Sequence, residues 1–214
     1  MHWHGLRLEN RYDGVPHETQ APIPIGGSFT YTVQFPDPGF YWYHPHVRED
    51  FSLERGLYGT ILVEPTDPSY WPAVDRQLTL TLDDLLVEDG HIAPFHFAVR
   101  GARAKLVGGD IGRYERETFV EEVLLVPSEG AVLDVLFDTP RDVRLEHRTP
   151  KHLYDLGGFS VTGTATGNAA QSFDVLRTRP RPHRRASVDQ SRPGAAAGQN
   201  ACVLLAHAAA VWGR

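Results

Sequence analysis

Apolar and polar residues alternate in short runs along much of the chain, with the period of two that is typical of strands packed on one side. Three such runs come early, at residues 28–35 (SFTYTVQF), 39–44 (GFYWYH) and 58–63 (YGTILV), each bounded by Gly, Pro or Asp. Those bounding residues favour turns, and turn-bounded alternation predicts strands. The pattern therefore predicts an all-β chain that suits a Greek-key β-sandwich.

A second region of strands follows a segment rich in proline and acidic residues. That segment, EPTDPSYWPAVD at residues 64–75, has the composition of a linker. QLTLTLDDLL at 77–86 then opens a new β region, VEDGHIAP resembles a hairpin or surface loop, and more strand-like runs lie at 104–107, 119–126, 131–137 and 143–147. The predicted organisation is a first domain over 1–65, a linker over 66–76 and a second domain over 77–176.

The remaining residues, 177–214, differ in charge and composition. They contain seven arginines and one acid, a net charge of +6, which leaves −12 for residues 1–176 against a total of −6. A stretch rich in Arg, Pro, Ala and Gly buries little apolar surface, so we expect a disordered or aberrant basic tail. A basic tail can bind nucleic acid, but this one lacks interleaved aromatic residues, and we expect no nucleic-acid partner.

Composition adds few constraints. The 214 residues are 41% hydrophobic, enough for one or two cores, and no run approaches the ~20 apolar residues of a membrane span. We therefore expect no membrane partner. A single cysteine excludes an internal disulfide, and no signal peptide is visible.

Two histidine pairs carry the chemistry of this sequence. His2 and His4 flank Trp3, and His44 and His46 flank Pro45. Residues two apart on a strand point to the same face, so each pair presents two imidazoles together. Converging neutral imidazoles suit copper or zinc. The other histidines lack a partner in strand register and are expected to be ordinary surface or hydrogen-bonded side chains: His17, His91, His96, His147, His152, His183 and His207.

An ordered set of motifs surrounds these pairs. Residues 2–65 contain HWHG, DGVP, TQ, PI, a Gly-rich turn, FPDPGFYWYHPH and GLYG in that order. In this order they resemble the latter half of the first cupredoxin domain of a bacterial, laccase-like multicopper oxidase. The segment ARAKLVGGDIGRYERETFVEEVLLVPSEGAVLDVLFDTP resembles part of the middle cupredoxin domain of the same family. The resemblance implies incomplete cupredoxin-like domains, and exported proteins are frequent among family members.

The resemblance also implies a copper cofactor and a role for each paired histidine. His2 corresponds to a type 2 copper ligand, and type 3 ligands correspond to His4, His44 and His46. In the complete family, small reductants are oxidised and dioxygen is reduced by four electrons to water. The type 1 motif is not found, because the lone Cys202 has no flanking histidine and Met1 is the only methionine. We therefore expect half of a trinuclear site, no turnover by the isolated chain, and possible completion by an oligomer.

Acidic residues near the pairs have two interpretations each. Asp13 matches a family carboxylate beside the type 2 copper, where it would relay protons, but Asp-Gly is also a common turn. Glu49 and Asp50 follow the second pair and could tune the ligands or pair with Arg48, but the preferred interpretation is a solvated loop outside the ligand set. Two other functions remain open. One is a non-catalytic copper-binding or interaction module; the weaker one is a zinc hydrolase, whose HxHxDH signature is incomplete here.

Overall fold

A small antiparallel sheet carries the histidine pairs. The structure, a computed structural model, describes residues 1–53, 55–83, 87–88, 91–92, 94–162, 167–178 and 200–207. In that part, the first sheet has the order β1-β2-β3, with β1 at His2–His4, β2 at Gly39–His44 and β3 at Gly59–Val63. A 3-10 turn spans Asn10–Tyr12 and a short helix, α1, spans Glu49–Ser52.

Two larger sheets follow in the second region. The four-stranded sheet has the order β10-β7-β12-β13, the five-stranded sheet has the order β4-β14-β11-β8-β9, and β5 and β6 form a hairpin. The second helix, α2, spans Gly167–Asp174. The strands are β4 (Arg76–Leu82), β5 (Val87–Glu88), β6 (His91–Ile92), β7 (Phe95–Arg100), β8 (Arg103–Gly109), β9 (Gly112–Val120), β10 (Val123–Leu125), β11 (Gly130–Leu136), β12 (Arg141–Arg148), β13 (Leu153–Val161) and β14 (Asn200–His207).

The main core lies between the two larger sheets. Phe97 and Val143 from the four-stranded sheet meet Leu133 and Val135 from β11, and all four are almost fully buried. Fully burying an aliphatic or aromatic side chain of this size stabilises a fold by about 1.5–3 kcal/mol. This face-to-face packing makes the second region a β-sandwich.

The first sheet joins that sandwich through a small apolar junction. Phe40 packs with Val107 and Val132, and the Phe40 backbone N–H donates to the carbonyl of Asp110 at 3.1 Å. Gly39 makes this approach possible, because a Cβ there would lie 2.5 Å from the same carbonyl oxygen. Val132 therefore faces the junction, whereas the next residue of β11, Leu133, faces the main core.

A buried ionic cluster lies beneath α2. Lys105 is fully buried, and its Nζ is 3.2 Å from Glu117 Oε2 and 3.4 Å from Asp134 Oδ2. The ring of Phe173 in α2 lies over the same ammonium, 4.6 Å from its centre. A buried ammonium requires such opposite charges, and the aromatic face adds a cation–π contact. Sequence patterning did not predict α2.

Most predicted strands are present, but β7 was not predicted and several runs differ from their predictions. Residues 28–35 form no strand, and within the described residues no strand pairs with them. The 119–126 run divides into β9 and β10. β13 was missed because two glycines interrupt its alternation; Gly157 has a φ of +125°, and a Cβ at Gly158 would lie 2.2 Å from the carbonyl of Val143.

One stretch of residues 177–214 forms a strand. Asn200–His207 forms β14, parallel to β4 and antiparallel to β11. Its sequence, NACVLLAH, is the most apolar part of the tail, and a parallel strand inside a sheet is typically a continuous apolar run. Residues 179–199 and 208–214 lie outside the described part of the chain.

Among the described residues, no helix is long and apolar enough to cross a bilayer.

Candidate metal centre

Two short strands bring three of the paired histidines to one face of the first sheet. β1 pairs antiparallel with β2 so that His2 lies opposite His44 and His4 lies opposite Trp42. Directly paired residues share a face, as do residues two apart on one strand. The register therefore places the three imidazoles together, with Trp42 beside them.

His46 lies beyond the end of β2 and joins the same group. Its ring centre is 4.8 Å from that of His44 and 4.8 Å from that of His2. Within the sheet, the ring of His2 is 5.4 Å from His44 and 5.6 Å from His4. The structure thus brings together all four histidines that the sequence singled out.

The nitrogen atoms of this group are close enough to bind one ion. One ring nitrogen from each of His2, His4 and His44 lies within 4.8 Å of the others. His4 Nδ1 is 3.4 Å from His44 Nε2. Two nitrogens bound tetrahedrally to a first-row metal at about 2.0–2.1 Å lie about 3.3 Å apart. The spacing between His4 and His44 therefore fits shared coordination.

Oxygen atoms contact the second nitrogen of three of the rings. His2 Nδ1–H donates to the backbone carbonyl of Asp13 at 2.8 Å, and His44 Nδ1–H donates to the carbonyl of Pro45 at 3.1 Å. His46 Nδ1 contacts the Glu49 carboxylate. A carbonyl only accepts, so the proton is on Nδ1 of His2 and His44. Their Nε2 atoms are then left with the lone pair that a metal binds.

Burial favours the neutral form of His4, His44 and His46. It lowers the pKa of His44 from 6.5 to about 4, against a partly opposing hydrogen bond to Pro45. Burial also lowers the pKa values of His4 and His46, and the positive charge of neighbouring histidines adds to the effect. Only the neutral ring coordinates a metal, so ligands of this kind are available at neutral pH without losing a proton first.

A tryptophan forms the inner wall of the cluster. The ring of Trp42 stacks on His44 with centres 4.2 Å apart and planes 16° apart, and lies 4.9 Å from His4. Trp42 in turn packs on Leu53, just after α1. Such packing limits ring rotation, so the imidazoles are held in position before any ion binds.

Glu49 lies beside the cluster, although the preferred interpretation of the sequence left it out of the ligand set. We expected a solvated loop after the second pair, whereas residues 49–52 form α1 and direct the Glu49 carboxylate to His46. A ligand atom from each of His44, His46 and Glu49 lies within 4.8 Å of the others. A carboxylate three residues after His46 was the available signal, but it is informative only once the chain is known to turn at Arg48 and direct Glu49 back to the histidine.

Asp13 lies beside the cluster, as expected from its position in the sequence. Its carboxylate Oδ1 is 3.4 Å from His2 Nδ1, in addition to the backbone contact. The turn requires glycine at the position after Asp13. Gly14 has a φ of +84°, and a Cβ there would lie 1.7 Å from the Met1 carbonyl. The turn and the contact with the ligand are therefore the same structural feature.

Three of the other described histidines, His96, His147 and His152, lie in the second sandwich. The backbone N–H of His96 donates to His147 Nδ1 at 3.2 Å, and the ring of His152 lies 5.9 Å from that of Tyr154. Over the described ranges, both groups of three or more closely spaced metal-ligating side chains include His44. His183 lies outside those ranges.

The donor set of the cluster suits copper. Four imidazoles supply borderline nitrogen ligands that copper and zinc both accept, and the Glu49 carboxylate lies within reach. These observations define a class of protein. It has a cupredoxin-like β-sandwich fold and, on its first sheet, a histidine cluster that could hold a metal.

Comparison with known proteins gives the family. A family described as multicopper oxidase matches residues 1–68. The chain is 44% identical over 85 residues to multicopper oxidase MmcO of Mycobacterium tuberculosis, which is 39% of this chain and 16% of that protein. A laccase of Arthroderma benhamiae is 44% identical over 81 residues, 36% of this chain and 12% of the laccase. Residues 1–68 thus match the multicopper oxidase family, and the predicted resemblance to laccase-like multicopper oxidases is confirmed.

The fold comparison agrees with this assignment. The crystal structure of Lac15 from a marine microbial metagenome superposes with a TM-score of 0.67 and 26% identity, over 91% of this chain and 59% of that one. The predicted cupredoxin-like, mainly β architecture is confirmed. The chain spans less than two thirds of the length of these relatives.

Proposed function

We propose that His2, His4, His44 and His46 hold copper as one half of a trinuclear centre in a laccase-like oxidase. The observation that carries this proposal is the convergence of neutral imidazoles on one sheet face, with nitrogens of three of them within 4.8 Å. In this assignment His2 serves the type 2 copper. The type 3 pair is served by His4, His44 and His46.

The site is open on the side away from Trp42. The side chains of His2 and His46 retain 16% and 29% of their exposure, so a further set of donors has access to them. Those donors come from another polypeptide segment, in a longer protein or in a second copy of this chain. Bound copper would supply one-electron redox chemistry for reducing dioxygen to water at the expense of a small reductant.

The chain's own residues position ligands and move protons. The Asp13 carbonyl and the Glu49 carboxylate hold the Nδ1 sides of two rings, so the Nε2 atoms face the shared space. The Asp13 carboxylate is partly exposed and lies 3.4 Å from His2. It is therefore placed to pass protons between solvent and the centre, the role that we propose for it.

A second candidate function is copper binding without catalysis. The sequence favours it in one respect, because Cys202 lies in NACVLLAH with no histidine beside it. This sequence then offers no type 1 copper site that would accept electrons from a substrate. A half-site alone binds copper but does not turn over.

Copper content and oxidase activity together test both candidates. Protein purified with copper should contain bound metal by mass spectrometry, and His44→Ala should lower the copper per chain. The control His152→Ala removes an exposed histidine of the second sandwich and should leave the copper content unchanged. Oxygen-dependent oxidation of a phenol by this chain alone would contradict the half-site. Absence of copper binding at micromolar concentration would contradict both functions.

A further inference from the structure

A second group of ligand side chains lies beside the three imidazoles of the sheet face. Its members are His44, His46 and Glu49, and one ligand atom from each lies within 4.8 Å of the others. The rings of His44 and His46 have their centres 4.8 Å apart and their planes inclined by 38°. His46 Nδ1 contacts the Glu49 carboxylate. Two nitrogens and one carboxylate oxygen at such separations hold one ion after small side-chain movements.

All three donors come from one short stretch of chain. His44 ends β2, and Glu49 begins α1. The turn between them is fixed, because Arg48 has a φ of +50° and its carbonyl accepts from the backbone N–H groups of Phe51 at 2.9 Å and Ser52 at 2.8 Å. The second group therefore does not depend on the pairing of β1 with β2. The three-imidazole group does depend on it, because two of its rings belong to β1.

The carboxylate gives the second group a property that three imidazoles lack. Neutral imidazoles leave both positive charges of a divalent ion uncompensated, whereas an ionised carboxylate ligand cancels one of them. His44 is buried, and the side chains of His46 and Glu49 are half-buried. Burial strengthens the attraction between opposite charges, because the surroundings are less polar than water. A first ion is thus held more firmly by the second group than by the three imidazoles.

We propose that His44, His46 and Glu49 form a site for one divalent ion, Zn²⁺ or Cu²⁺, that is occupied even while β1 is unpaired. The ion replaces the hydrogen on His46 Nδ1 that faces the carboxylate, and the displaced proton passes to solvent. His44 belongs to both groups, so an ion moves to the three imidazoles without leaving that ring. The site is a loading position for the proposed copper centre, and it rests on that proposed function for its two histidine ligands.

Zinc distinguishes the two groups, because Zn²⁺ has no redox chemistry and binds the same nitrogen and oxygen ligands. The double variant His2→Ala/His4→Ala removes the donors of β1 and should still bind one zinc ion per chain. Adding Glu49→Gln should lower the zinc affinity by at least about tenfold. Asp50→Asn in the same background is the matched control, since it removes the same charge from the next position of α1, where the carboxylate pairs with Arg48. The control should keep its zinc.

Competition with a chelator gives the affinities. X-ray absorption of the wild-type chain, loaded with less than one equivalent of zinc, counts the ligands and should show two imidazoles. Because this second measurement uses the unmodified chain, it decides the question even if the double variant does not fold.

Three results would each overturn the loading site. They are a double variant that folds but binds no zinc, equal zinc affinities of the Glu49→Gln and Asp50→Asn variants, and three imidazoles around the zinc of the wild type. Each of these leaves the histidines as metal ligands, so the proposed function survives. Failure of the wild type to bind zinc or copper overturns both proposals.

Discussion

Asp110 offers a prediction of pH-dependent stability at the junction between the first sheet and the second sandwich. Burial raises the pKa of its carboxyl from 3.8 to about 6, although the Gly130 backbone N–H donates to it at 2.6 Å. The unfolded chain therefore ionises this group at a lower pH than the folded chain does. Between pH 3.8 and 6 the folded state binds more protons, so acidification through that range favours folding.

The size of the effect follows from the two pKa values. A pKa shift of this size changes the free energy of unfolding by about 3 kcal/mol in full. About 1 kcal/mol of that change occurs between pH 7 and pH 5. Asp110→Asn retains an oxygen that accepts from Gly130 and removes the ionisation. We therefore compare the free energy of unfolding of the variant with that of the wild type at each pH. The variant's advantage should be about 1 kcal/mol larger at pH 7 than at pH 5.

Urea unfolding of both proteins at the two pH values measures this difference. Comparing the variant with the wild type cancels the opposite contribution of the buried histidines, whose lowered pKa values make acid destabilising. Asp138→Asn removes a carboxylate whose side chain is 41% exposed, and it serves as the control for the loss of one acidic residue. The reasoning would be refuted if the stability difference between Asp110→Asn and the wild type were the same at both pH values or larger at pH 5.

Three further substitutions test other contacts. Glu49→Gln removes the carboxylate beside His46 and should weaken copper binding about tenfold in competition with a chelator; unchanged affinity would exclude a role for that contact. Gly39→Ala forces a Cβ against the junction carbonyl and should cost about 1–3 kcal/mol in thermal unfolding, whereas an unchanged melting temperature would show that the junction yields. Lys105→Met should cost about 3–5 kcal/mol in urea unfolding, most of it regained when Asp134→Leu is added; failure of the second change to restore stability would show that the charges do not act as a pair.

The histidine cluster was predictable because it depends on local periodicity. Two HxH pairs in strands need only the alternation of side chains to face the same way, and the ladder supplied a register with His2 opposite His44. The Glu49 contact was not predictable in this way. It requires the chain to turn at Arg48 and begin a helix at Glu49, in a stretch whose sequence is equally compatible with a loop.

Longer-range packing explains the other differences. The 28–35 run has strand chemistry, yet a strand forms only where a neighbouring segment supplies hydrogen bonds. β14 shows the converse, because NACVLLAH lies in an otherwise basic tail and obtains both neighbours from β4 and β11. Composition predicts what a segment prefers, whereas pairing depends on what the rest of the chain places beside it.

The three-residue strand β1 links metal affinity to local unfolding. Among the described strands it pairs with β2 alone, and it carries two of the four histidines. Release of this one ladder separates His2 and His4 from His44, so an ion held across the ladder must dissociate before β1 can open. The energy that binds the ion is then also the energy that keeps β1 closed. Amide hydrogens of the first strand thus report the occupancy of the site.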